Sequence, residues 1–314
     1  MMSLLGWVTE PLHYEFMRRA LVEVVIMGAV TGAIGCYVVL RGLAFMGDAL
    51  SHAIFPGIAL AFLLGRSVFL GALAFGVLTV VLIAIAATNR RVKEDSAIGV
   101  LFAGMFALGV VLISSSPHFA RDLASFLFGN VLGVTMFDIG LSVVVGVGVL
   151  LLLAVFHRAL LITSFDRAGA AAMGVPVFWL DLLLLLLIAL TIVVSLSAVG
   201  NILVLAMLIT PAAAARLLTD RLPVMVGLSA AIGTGSGILG LFLSYHHDLA
   251  AGGTIVLVAT LAFGVVWLGA PTHGFVATRV WARRRAALTR PGDAHGVESI
   301  HGPRRPADDR GRAS

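Results

Sequence analysis

Nine apolar stretches, each long enough to cross a lipid bilayer, follow one another between about Leu21 and Gly269 of this 314-residue chain. A hydrocarbon core of about 30 Å takes about 20 helical residues to span. The stretches run from about Leu21 to Leu40, Leu43 to Leu64, Val68 to Thr88, Ala97 to Ser115 and Phe137 to Phe156. Beyond a polar, Ala-rich interval come Val177 to Ala198, Asn201 to Leu218, Pro223 to Tyr245 and Thr254 to Gly269. Hydrophobic residues make up 60% of the chain and charged ones 12%. Soluble domains hold about 45–50% apolar and about 25% charged residues, so lipid must be the solvent here. The expected fold is all-α, a polytopic transmembrane bundle of about eight or nine spans. An N-terminal segment covers residues 1–20, the bundle 21–270, and a basic tail 271–314.

The positive charges orient that bundle, because cytoplasmic loops collect Lys and Arg. Arg90, Arg91 and Lys93 fall in one loop, Arg158 and Arg167 in another, Arg216 and Arg221 in a third, and Arg279 with Arg283–Arg285 in the tail. All lie on one side if the spans are right, which makes that side and the C-terminus cytoplasmic. Ser116–Met136 carries only Arg121, and Tyr245–Gly253 carries neither Lys nor Arg. Nine crossings then place the N-terminus outside, which Arg18 and Arg19 oppose. Asp48, His52 and Pro56 interrupt the second stretch, and one of the two N-terminal segments, if re-entrant or broken, would give eight full crossings. The net charge of +5 serves topology in this distribution, with no aromatic-plus-basic motif for nucleic acid.

Residues before Leu21 do not form a signal peptide, since Glu10, Pro11, His13 and Glu15 stand where a basic region should be. From about Pro291 the composition is that of a disordered tail, where His295 and His301 are weak metal candidates. Cys36 is the single cysteine and reads as a small buried hydrophobe.

An ionisable residue inside a span is costly and marks function by default. Asp48 and His52 stand four residues apart in Gly47-Asp48-Ala49-Leu50-Ser51-His52, on one face of a helix. A carboxylate and an imidazole so placed can share one divalent ion, and two copies about a dimer axis would supply four ligands. The competing reading makes Asp48 a helix N-cap and His52 a hydrogen-bonding partner of a neighbouring span. Tyr245-His246-His247-Asp248 reads as an outer loop, either simply solvated or a metal-attracting mouth. Glu23 and Asp181 read as interfacial, and Met173, Met207 and Met225 as packing residues. Gly233, Gly235, Gly237 and Gly240 permit close helix approach in lipid. A Walker A loop needs Lys followed by Ser or Thr, whereas the one lysine, Lys93, precedes Glu94. ATP-driven transport therefore needs a second chain.

The run from Leu40 to Ala53, with Phe55-Pro56-Gly57-Ile58-Ala59, resembles the signature of bacterial manganese/zinc ABC importer permeases. Arg91–Gly99, Phe126–Gly133, Val199-Gly200 and Leu208–Ala215 extend the resemblance over about residues 11–270, with motifs slightly more like those of the manganese-type members. The resemblance implies a type II importer fold and a permease dimer. It also implies a cytoplasmic ABC ATPase subunit, an extracytoplasmic metal-binding protein, and no permanently bound cofactor. The cargo it implies is manganese or zinc, with iron also compatible with Asp and His ligands. It places the family's metal pathway on Asp48 and His52. It places the ATPase-contacting segment on Ser164–Pro176, including Ser164, Asp166, Arg167, Ala171 and Gly174. An ion-coupled secondary metal transporter would fit midplane carboxylates and a broken span equally well, without an ATPase. A passive metal channel would have no use for the Ser164–Pro176 segment.

Overall fold

The computed structural model describes residues 4–88, 94–114 and 131–270. Arg90, Arg91, Lys93, Arg121, Phe126–Asn130 and the tail with His295 and His301 lie outside these residues. The helices are α1 (Leu4–Leu12), α2 (Glu15–Leu40), α3 (Ala44–Ala53), α4 (Phe55–Leu63), α5 (Val68–Ala87), α6 (Glu94–Ser114) and α7 (Met136–Val155). They continue as α8 (His157–Phe165), α9 (Arg167–Ala172), α10 (Val177–Val199), α11 (Asn201–Leu218), α12 (Leu222–His247) and α13 (Ala251–Gly269). Among the described residues there is no strand, as expected where lipid cannot satisfy backbone groups. With α3 and α4 counted together, nine segments among the described residues have the length and apolarity to cross a membrane.

Three local features differ from the reading of the sequence. The second span breaks at Ile54, which ends α3 and begins α4; Pro56 follows in the first turn of α4, where a missing N–H costs nothing. Together the two pieces have the length and apolarity of one crossing. The first span begins earlier than the apolar run, at Glu15, because Glu15 and Arg19 pair one turn apart. The stretch Tyr245–His247 is not a loop but the last turn of α12, ended by Asp248 in a left-handed conformation (φ 51°).

Two groups of helices share the core. In one, α2 packs against α11 and α12, and α13 covers the latter pair. In the other, α4, α5 and α6 pack together, and α10 joins the groups by lying against α5 and α7. Contact along α2 is close enough to be backbone on backbone. A Cβ at Gly28 would lie 2.7 Å from the Thr234 amide nitrogen, and one at Gly35 would collide with the Leu208 carbonyl. Small residues make such approach possible in lipid. On α12, Gly237 and Gly240 likewise seat Val24 and Ile255, whereas Gly235 faces open space and plays no such part. Cys36, Met207 and Met225 are buried as expected, but Met173 is 65% exposed because it follows α9 beyond the bundle.

This seam generates a contrast. Gly28→Ala must push two backbones apart, and overpacking of this kind costs about 1–3 kcal/mol. Gly235→Ala meets nothing and gains helix propensity. In detergent, the thermal midpoint is expected to fall for Gly28→Ala and to hold or rise for Gly235→Ala. Equal midpoints would show that the seam is not tight.

Candidate functional site

The periodicity of α3 sets out its two faces. Met46, Ala49, Leu50 and Ala53 are buried, while Phe45, Asp48 and His52 stand on the more open side. Gly47 lets α3 settle against α11, where an added Cβ would lie 3.0 Å from Leu208. Asp48 therefore sits inside the helix and does not cap it, which removes the N-cap reading. Its Oδ1 lies 3.5 Å from His52 Nε2, with the Asp48 side chain 37% and the His52 side chain 27% exposed.

That separation is too long for a good hydrogen bond. Two ligands on one tetrahedral ion, at bonds of about 2.0–2.1 Å, lie about 3.3 Å apart. The His52 ring meets aromatic rings rather than a polar partner on a neighbouring span. Its centroid is 5.7 Å from that of Phe102 and 5.5 Å from that of Phe106, both on α6. Phe45 and Phe55 extend the aromatic wall, at 6.5 Å from Phe102 and 6.0 Å from Phe106.

The second sequence-derived cluster divides. His246 is half-buried, its Nδ1 donating to the Phe242 carbonyl at 2.9 Å and its ring stacked on Trp7 of α1. His247 and Asp248 are exposed. Adjacent helical residues point apart, so the two histidines do not converge. Among the described residues, no three His, Cys, Asp or Glu side chains of one copy are grouped to hold a metal ion.

The Ser164–Pro176 segment is short helix and turn. The Asp166 side chain caps α9 by accepting from the Gly169 amide at 2.8 Å, and Gly174 turns the chain into α10 with φ 80°. Such a φ favours glycine. Asp166, Arg167, Ala171 and Gly174 are exposed, as are Phe165 (67%), Met173 (65%) and Trp179 (66%).

Arg41, which the sequence reading quoted without a role, holds this segment to the bundle. It caps the C-terminal end of α2, and Gly42 (φ 69°) then turns the chain toward α3. Its Nη1 donates to Asp181 Oδ1 at 2.5 Å, its Nη2 to Thr163 Oγ1 at 2.7 Å and its Nε to Ser164 Oγ at 3.0 Å. Arg167 donates to the other oxygen of Asp181. Asp181 is thus the centre of an ion-pair network joining α2, α8, α9 and α10, not merely an interfacial charge. A basic residue directly after a span and an acid near the start of another are visible in the sequence. Their separation by 140 positions hides the pairing.

Glu23 also departs from the interfacial reading. It is fully buried within α2 and accepts a hydrogen bond from Ser142 of α7 at 2.7 Å. The reason is positional: two turns into α2, it faces a neighbouring helix instead of the rim.

A hydrogen bond to a charged group contributes about 1.5–3 kcal/mol, and Arg167 still pairs with Asp181 when Arg41 is removed. Arg41→Ala is expected to lose stability of that order, and Arg41→Lys to recover little, because an ammonium cannot reproduce a forked contact to three acceptors. Thermal unfolding of both variants in detergent checks this. A Lys variant as stable as the parent would mean that charge alone suffices.

A family model described as the ABC 3 transport family matches residues 13–269. The chain is 46% identical over 275 residues to the manganese transport system membrane protein MntC of Halalkalibacterium halodurans, covering 88% of this chain and 94% of that one. It is 43% identical over 267 residues to the manganese import system permease protein ScaB of Streptococcus gordonii, covering 85% and 96%. Its fold matches a chain in the solved structure of PsaBC from Streptococcus pneumoniae in complex with Fab, with a TM-score of 0.78 and 40% identity over 88% of this chain and 100% of that one. A match over nearly the whole helical bundle, with relatives this close, makes this chain a multi-pass membrane protein of the ABC 3 transport family.

Proposed function

We propose that this chain is the membrane-spanning permease subunit of an ABC importer for divalent transition-metal ions, with manganese the first candidate and zinc or iron compatible with the same ligands. The observation that carries this reading is the Asp48–His52 pair, 3.5 Å apart on the open side of α3. A carboxylate facing lipid costs several kcal/mol. A second copy of the chain, meeting this one across α3 and α6, would remove that cost and bring two carboxylates and two imidazoles to one axis. A cation passing along the axis would then find four ligands of mixed oxygen and nitrogen type, which suit the middle and end of the first-row metals. Phe102 and Phe106 would hold the His52 ring in place beside the path.

The end of the bundle with Arg41, Arg158, Arg216 and Arg221 is taken as cytoplasmic, by the bias of basic residues toward that side. Ser164, Asp166, Arg167, Ala171 and Gly174 would then belong to the surface that a separate ATPase subunit grips. The exposed Phe165, Met173 and Trp179 support this, and the Arg41–Asp181 network would carry the force of nucleotide-driven closure into α2 and α10. His246, His247 and Asp248 lie at the opposite end. There an extracytoplasmic metal-binding protein would deliver the ion, and His247 and Asp248 would attract it without forming a closed site.

Two measurements test the reading. Asp48→Asn and His52→Ala are each expected to reduce metal accumulation in a deletion strain to the level of cells without the chain, with expression and elution on size exclusion unchanged. Wild-type uptake by both variants would overturn the pathway. The purified chain alone is expected to hydrolyse no ATP, and the activity is expected to appear only when a nucleotide-binding subunit is added. Turnover by the isolated chain would point to a different energy source.

A further inference from the structure

At the end of the bundle opposite Arg41, residues of α1, of the start of α2 and of the last turns of α12 line a hollow of about 630 Å³. Glu10 of α1 and Asp248, which ends α12, both line it, together with Phe16, Ser244, Tyr245 and His246. The two carboxylates are near enough to each other that both act electrostatically on the Tyr245 hydroxyl. Among the described residues neither is in an ion pair, and no Lys or Arg lines the hollow. Of the basic residues that follow α1, Arg19 is taken by Glu15, and Arg18 is exposed and does not line it. The other polar side chains ask for a donor as well. The Ser244 hydroxyl is spent on the Leu249 carbonyl at 2.6 Å. His246 donates from Nδ1 to the Phe242 carbonyl, so its Nε2 is an acceptor, and that atom is buried without a partner. Leaving such an atom unsatisfied costs free energy.

Two carboxylates and an imidazole acceptor fit a cation that carries N–H groups. A bare metal ion is the wrong cation, because among the described residues no three such side chains are grouped to hold one. The volume is that of a site for an organic group, about 300–1,000 Å³. Aromatic rings attract organic cations too, and Phe16, 39% exposed, and Tyr245 supply two. We propose that this hollow receives one lysine or arginine side chain of the extracytoplasmic metal-binding protein, which neutralises Glu10 and Asp248 and fixes where that protein docks. Tyr14, whose ring lies 5.9 Å from that of Tyr245, and Leu249 are exposed beside it, and a seated protein would cover both. Opposite charges across such an interface set register and steer encounter. The inference rests on the reading of this chain as an importer permease, and adds to it the position and the sign of the docking charge.

The test places the full chain in nanodiscs and measures, by surface plasmon resonance at low and high salt, its affinity for the binding protein that supports metal uptake with it in the deletion strain. That protein is used metal-free, so that attraction of the ion by Asp248 does not enter. The double variant Glu10→Gln, Asp248→Asn is expected to bind at least about thirtyfold more weakly and with less dependence on salt. Asn tolerates the left-handed backbone at 248, so the turn is kept. Glu15→Gln, which removes a carboxylate at the same end but outside the hollow, should leave the affinity nearly unchanged. Weak binding by Glu10→Lys should be restored when one lysine or arginine on the docking face of the binding protein is changed to Glu. Equal affinity in the double variant overturns the proposal and leaves the importer reading standing. That includes the case where the double variant melts at a lower temperature, which would give the carboxylates a partner within this chain. Manganese chloride that binds the wild type alone, and not the double variant, would also overturn it by assigning the hollow to the ion. A wild type that binds no such protein would overturn the importer reading and this inference together.

Discussion

Within lipid there is no hydrophobic gain when two helices meet, so the bundle depends on how closely their backbones can approach. That constraint is met along α2. Gly28, Gly32 and Gly35 bring it against Thr234, Ala230 and Leu208 at distances where no side chain fits. Because α2 is held this tightly on one side by α11 and α12, its other residues have defined neighbours. Glu23 faces Ser142, Tyr37 faces His157, and Arg41 ends the helix among the acceptors of α8 and α10. A looser seam would leave each of these polar groups without a fixed partner.

Charge is handled in three ways. At the rim, Arg41 and Asp181 neutralise each other within a hydrogen-bonded network. Inside the bundle, Glu23 is shielded from lipid by packing and holds one hydrogen bond to Ser142. On the open side of α3, Asp48 and His52 are neither shielded nor fully paired. Stability alone would favour removing this last pair, and the pathway role proposed above would be a physical reason to keep it. The aromatic wall from Phe45 to Phe106 reinforces the contrast, because it sets the His52 ring against apolar surface.

Much of the architecture was legible in the residues. The nine apolar stretches and the four-residue spacing of Asp48 and His52 follow from local spacing, which survives folding. The resemblance of Leu40–Ala53 to metal-importer permeases directed attention to the same helix. Less legible were the ends of elements: Tyr245–His247 looks polar enough for a loop, yet stays helical because Trp7 of α1 covers His246.

What the sequence by itself determined is the set of membrane-crossing helices and the pair of ligand-type side chains on one of them, since both depend on local spacing. Only the tertiary structure decided that Arg41, Thr163, Ser164, Arg167 and Asp181 form one network. It alone decided that Glu23 is buried and Met173 exposed, and that Asp48 and His52 lie on the more open side of α3. Those outcomes depend on which faces of distant helices meet, and in lipid that choice is made by steric fit between small residues far apart in the chain.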